Sequence, residues 1–139
     1  MQSLLGPTLV RKSGASVPLA EALAGKKFVA VYFSAHWCPP CRAFTPVLSK
    51  FFTENADKLG LALVFVSSDQ DEDAFKDYFA SMSWDLALPF EDSHKEVVGG
   101  DVKGIPTLKI FDAETGKLVC GNARGGLSQD PTGAKFPNY

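Results

Sequence analysis

The sequence predicts an α/β fold: a central mixed β-sheet with helices on both faces. Three observations predict it. Two nearly continuous apolar runs of strand length, Phe28 to Ser34 and Leu61 to Val66, flank a long stretch of helical periodicity. Runs of that kind belong to central strands buried on both faces. A third run, Thr107 to Phe111, leads through Ala113-Glu114-Thr115-Gly116 to a returning strand, Leu118 to Cys120. Strands and helices alternate first and a hairpin closes the chain, which gives a mixed sheet with both faces covered.

Each element has its own signal. Gly6-Pro7 and Ser13-Gly14 are turn signals around the short apolar stretch Leu9-Val10. Val17 to Leu23 has the composition of a short helix ending near Gly25. A long helix starts near Pro40. Phe44, Val47, Leu48, Phe51 and Phe52 recur at helical spacing, and Gly60 closes the element. Pro46 lies inside it, lacks a donor, and is expected to kink it after the first turn. Asp69-Gln70-Asp71-Glu72-Asp73 supplies negative charge to the next helix start, whose apolar face is Phe75, Tyr78 and Phe79. Trp84 to Phe90 reads as a connecting segment. Ser93 to Val98 offers a short helix stopped by Gly99-Gly100. The tail, with Asp130-Pro131-Thr132-Gly133 before Phe136-Pro137, is turn-rich.

The totals bound the function. At 139 residues the chain has the length of one domain, residues 1–139, with a core over about 26–122 and a C-terminal tail packed on it. Hydrophobic residues make up 45%, enough for an ordinary core, and eleven are Phe. A net charge of -2 and scattered Lys and Arg exclude a basic nucleic-acid footprint. The first residues lack the basic and apolar regions of a signal peptide, and no apolar run approaches a membrane span. Three cysteines, two close and one distant, suit a reducing compartment rather than a secreted disulfide scaffold. A soluble cytoplasmic protein, with a nuclear pool allowed, is the expectation.

The chemistry concentrates in Trp37-Cys38-Pro39-Pro40-Cys41-Arg42. A thiol at a helix start feels the positive end of the helix dipole, which favours the thiolate that attacks disulfides. Cys38 precedes the helix and is expected to be the exposed attacking thiol. Cys41, in the first turn, is expected to be more buried and to resolve the intermediate. Pro39 and Pro40 stiffen the loop, and Pro40 suits a first helical position. Trp37 offers a wall for docking, or simple packing. The competing reading of a Cys-x-x-Cys pair is half a zinc site. His36, His94 and Cys120 are then the remaining ligand candidates, without a second close pair. No resident cofactor is called for by dithiol exchange.

Ile105-Pro106-Thr107 follows about 65 residues later. A proline opening a strand is compatible with a cis peptide bond, and equally with a plain edge position. The two motifs together resemble the thioredoxin superfamily, and more closely its nucleoredoxin and tryparedoxin branch. The matching stretches are Tyr32 to Arg42, Phe44-Thr45-Pro46, Phe75 with Tyr78-Phe79, Trp84 with Pro89-Phe90, Gly104 to Leu108, and Asp130-Pro131 with Phe136-Pro137.

That resemblance implies a thioredoxin-like fold and a monomer that reduces disulfide-bearing proteins and is recharged by an external dithiol or reductase. It implies that Pro106 is cis and faces the pair, that the Ile105 backbone receives a peptide, and that Arg124 lies near the substrate. It also implies that Tyr32 occupies the place where many thioredoxins bury an Asp as proton acceptor. Two departures bear on the donor. Tryparedoxins carry a Trp and acidic residues where this chain has Ser68, Asp69 and Gln70, which weakens trypanothione as reductant. Ser34-Ala35-His36 and Val66-Ser67-Ser68-Asp69 look more like nucleoredoxins. The alternatives are a tryparedoxin passing electrons from trypanothione to peroxidases, and a redox-sensitive module that binds partners through Pro106 and Trp37. Cys120 reads as a buried small hydrophobe. His36 and His94 read as loop residues.

Overall fold

A computed structural model describes residues 1–139. In chain order the elements are α1 (Gln2–Leu5), β1 (Thr8–Val10), β2 (Ser16–Pro18), α2 (Leu19–Ala22), β3 (Phe28–Ser34), α3 (Pro39–Leu59) and β4 (Leu61–Ser67). Then come α4 (Glu72–Ala80), α5 (His94–Gly99), β5 (Thr107–Asp112), β6 (Leu118–Cys120) and α6 (Arg124–Gln129). The main sheet has the order β4-β3-β5-β6. β3 runs parallel to β4 and antiparallel to β5, and β5 to β6 is antiparallel. The sheet is mixed, as the sequence implies.

Both faces are covered because the central strands are apolar in both directions. Ala30 and Tyr32 of β3 and Leu61, Leu63 and Phe65 of β4 face one core, beneath α3, α4 and α6. Val29, Val31 and Phe33, with Ala62, Val64 and Val66, face the other, against α1, α2 and α5. The alternation is the period of two that a strand imposes.

α3 fixes the position of the cysteine pair. Cys38 is its extended N-cap (φ -94, ψ 111) and Pro39 its first residue. Gly60 ends it in the left-handed region (φ 64), donating back to Ala56 and Asp57, and β4 starts at once. The helix runs through Pro46 as one element to Leu59. α4 begins at the Asp71 cap, whose carboxylate accepts from Ala74 N at 2.8 Å.

Three expectations need correction. Val17 is not helical: it pairs with Leu9 in the β1–β2 hairpin, and the helix is confined to Leu19–Ala22. Pairing with a neighbouring strand outweighs weak local propensity. The sequence gives no signal for α6, because Gly125 and Gly126 argue against a helix. It forms because Leu127 is buried in the core and Ala123 N is bound to Leu108 O at 2.7 Å. Cys120 is half-buried rather than buried, with its thiol donating to Tyr139 O at 3.8 Å.

The loop after α5 is tied down by a buried lysine. Lys109 of β5 donates to Val98 O at 2.8 Å and pairs with Asp101 at 2.5 Å. Its ammonium also lies 5.6 Å from the Phe33 ring centroid. Gly99 permits this packing, since a Cβ there would sit 2.6 Å from Phe33. Lys109→Met keeps the bulk but leaves the Val98 carbonyl without its donor. We predict a loss of about 1–3 kcal/mol in urea unfolding, the cost of one orphaned buried acceptor. A neutral result would show that the carbonyl finds water instead.

Candidate active site

The site lies at the carboxyl end of β3, where open α/β sheets leave room for ligands. β3 ends at Ser34, the loop Ala35-His36-Trp37 follows, and α3 starts beyond Cys38. Two bonds hold the loop. Cys38 N donates to Ala35 O at 3.2 Å. Asp69, almost fully buried, accepts from His36 N at 2.8 Å and from the Ser67 hydroxyl at 2.6 Å. Trp37 stays 54% exposed, and its indole N–H reaches Ser68 O at 3.1 Å.

The pair is a free dithiol. Cys41 is wholly buried, as expected. Cys38 departs from expectation: only 5% of it is exposed. Its thiol points at the Ile105 carbonyl, 3.8 Å away. The Ile105–Pro106 peptide bond is cis. The loop before β5 therefore covers most of Cys38 and leaves a narrow access. Pro39 and Pro40 are exposed beside it, Ile105 is half-buried and Pro106 is buried.

Beneath the pair lies a cluster of buried hydroxyls. Tyr32 and Thr45 are 2.8 Å apart, Thr45 and Tyr78 2.6 Å, and Tyr78 and Ser34 2.8 Å. Thr45 also donates to Cys41 O at 2.9 Å. Burial pushes the Cys41 thiol up to about 11, and the neighbouring Cys38 thiol adds to the rise. The Ala35 backbone and the Ser34 hydroxyl pull it back part of the way. Burial also pushes the Tyr32 and Tyr78 phenols up. Tyr32 does take the place beneath the pair, and it is no base at neutral pH.

A cleft of about 340 Å³ opens beside the pair. Trp37 and Ile105 form its walls, Phe33 and Val102 its apolar lining, and Lys95 and Lys103 its charged groups. A larger groove of about 700 Å³ runs between α3 and α4, past His36, Arg42, Asp77 and Tyr78. The smaller cleft is the one lined by Trp37 and Ile105, the two residues that flank Cys38.

Arg42 reaches back to His36 O at 3.2 Å and is exposed. Arg124 opens α6, beside the Asn122 side chain that anchors Leu108 N and Arg124 N. Its guanidinium is exposed and makes no ion pair or hydrogen bond. No three His, Cys, Asp or Glu side chains converge as a metal-binding group. The sequence does not single out Ser34, Thr45, Tyr78 or Lys95 as site residues, nor Lys109 as the anchor of the loop after α5. Lys109, a single charge in the apolar run Thr107-Leu108-Lys109-Ile110-Phe111, was a visible signal.

Two thiols at a helix start, one near the surface and one sealed beneath it, define a dithiol–disulfide exchange centre. The chain belongs to the thioredoxin-like family, whose profile matches residues 25–118. It is a thiol–disulfide oxidoreductase of the nucleoredoxin and tryparedoxin branch. Tryparedoxin of Trypanosoma brucei brucei is 43% identical over 132 residues, 93% of this chain and 89% of that protein. Probable nucleoredoxin 1 of Arabidopsis thaliana is 46% identical over 120 residues, 84% of this chain but 20% of that protein. Nucleoredoxin of Danio rerio is 36% identical and is matched over 34% of its length. The chain thus spans about a third or less of these nucleoredoxins. The solved tryparedoxin of Trypanosoma brucei superposes with a TM-score of 0.88 at 43% identity, covering 98% of this chain and 94% of that one. Tryparedoxin II complexed with glutathionylspermidine gives 0.87 at 41%, with 95% and 92% covered.

Proposed function

We propose that this chain reduces disulfides in other proteins through Cys38 and Cys41, as a monomer in the cytoplasm with access to the nucleus. The observation that carries the reading is the contrast within the pair. Cys38 keeps a small exposed surface and sits against Ile105, which with Trp37 walls the cleft, whereas Cys41 is sealed against the hydroxyl cluster. Cys38 thiolate attacks one sulfur of the substrate disulfide, and the other sulfur leaves as a thiolate and takes up a proton. Cys41 then loses its proton and attacks Cys38. The bond from Cys38 to the substrate breaks, the substrate leaves reduced, and the pair is left as a disulfide. An external donor, a reductase, one dithiol or two monothiols, returns two electrons and two protons. The dithiol is the redox group, so the step needs no resident cofactor.

Trp37, Pro39, Pro40 and Ile105 form the docking rim in this reading, Pro106 supports it from below, and Arg124 meets a substrate carboxylate. Insulin reduction with dithiothreitol tests the activity, and a donor panel tests the recharging step. Glutathione or a thioredoxin reductase is the expected efficient donor. The match over 89% of a tryparedoxin favours a second reading, transfer from trypanothione to a peroxidase. Saturable reduction by trypanothione at low concentration, with neither other donor effective, would replace the first reading with the second. Fractionation of cells and gel filtration test location and oligomeric state.

A further inference from the structure

The geometry points to acidic peptide segments as the class of disulfide partner that the cleft beside Cys38 selects, with Lys95 and Lys103 as specificity-determining residues. The inference deepens the proposed reductase reading and rests on it. The cleft has two ammonium groups on its lining and no carboxylate.

Lys95 is held in place. It donates to Ser67 O at 2.8 Å and lies 4.4 Å from the Phe90 ring centroid. A lysine has three N–H donors, so one bond to protein leaves two for a ligand. Its half-buried position lowers the local dielectric, which strengthens its pull on an incoming anion. Lys103 is exposed, makes no ion pair, and sits two residues before Ile105 on the loop that covers Cys38. A carboxylate on the substrate within a few residues of the cystine therefore meets a fixed cation on one side and a free one on the other.

The nearby acids lie off the cleft lining. Asp69 accepts from His36 N and the Ser67 hydroxyl. Asp92 accepts from the His94 N–H and ring. Asp101 belongs to Lys109. Asp69, Asp92 and Glu91 act on Lys95 from outside the cleft and do not line it. The charged groups that a substrate touches on the lining are therefore the two ammonium groups, although the whole chain carries -2. Local complementarity of this kind sets specificity and encounter rate more than total charge does.

The test uses three synthetic cystine peptides that differ only in the flanking residues: glutamates, serines or lysines. Initial rates of reduction by the full chain give kcat/KM for each. The glutamate peptide is expected to be favoured over the lysine peptide by about tenfold at low ionic strength, with the preference shrinking at high salt. Lys103→Glu is expected to bring the ratio to about one or reverse it, and Lys95→Gln to reduce it. Lys103 is exposed and unpaired, so its substitution does not threaten the fold as loss of the Lys95 anchor could. A wild-type ratio within about twofold of one, or a ratio that Lys103→Glu leaves unchanged, overturns the inference. The serine peptide separates the two levels: if it is not reduced, the reductase reading fails; if it is reduced without charge preference, only the inference fails.

Discussion

Cys38→Ser is expected to abolish insulin reduction above the rate of dithiothreitol alone, while Cys41→Ser is expected to accumulate a covalent complex. The two outcomes differ because the sulfurs have different surroundings. Without Cys38 no thiol of the pair reaches the surface: Cys41 is fully buried, and Cys120 lies on β6 against the tail. Without Cys41 the first exchange still proceeds, but nothing inside the protein can attack the mixed disulfide. Non-reducing electrophoresis and mass measurement read the trapped adduct directly. Normal turnover by Cys41→Ser would reverse the assignment of roles. An inert Cys41→Ser without adduct would instead mean that Cys41 is needed for the first exchange.

The second large effect is on pH. A thiol at about 11 is ionised in only about one molecule in ten thousand at pH 7. Only the thiolate attacks, so release of the reduced substrate should speed up about tenfold for each pH unit through the neutral range. Once Cys38 is tied to substrate its own thiol no longer raises Cys41, so the curve should flatten somewhat below pH 11. Ser34 favours the thiolate, so Ser34→Ala should slow release at neutral pH and push the flattening to higher pH. The measurement is single-turnover release of a thionitrobenzoate group preloaded on Cys38. A rate that is already flat at pH 7 would show that a base takes the proton, against the burial argument.

The sequence carried the frame of the fold because the frame depends on local signals. β3 occupies the predicted span from Phe28 to Ser34, and β4 extends one residue past Val66. The helix after the cysteines follows from Pro39, Pro40 and the spacing of its phenylalanines, and Gly60 marks its end. The Ser93 to Val98 helix is displaced by one residue, to His94–Gly99. What failed depends on contacts far apart in sequence. Val17 needs Leu9 as a partner to become a strand residue. α6 needs the β5 backbone to hold Ala123. The near-burial of Cys38 needs a loop 67 positions away to fold over it. The hydroxyl cluster was equally illegible, since Ser34, Thr45 and Tyr78 come from three separate elements and converge only when both helices pack on β3.

The segment after Trp84 has a consequence for solubility. β4 reads Leu-Ala-Leu-Val-Phe-Val-Ser, all buried, without charge or proline. Such a stretch would template fibre growth if its free side were open to another chain. Here Ala87 bridges to Phe65 on one side and to Val10 on the other. Phe65 N donates to Leu86 O at 3.0 Å, and Leu88 N donates to Phe65 O at 2.9 Å. A few residues thus act as a plug, and the N-terminal hairpin continues from it. The opposite margin, β6, is only three residues long. The molecule therefore blocks the middle of its most aggregation-prone strand, at Phe65, against alignment with a second chain.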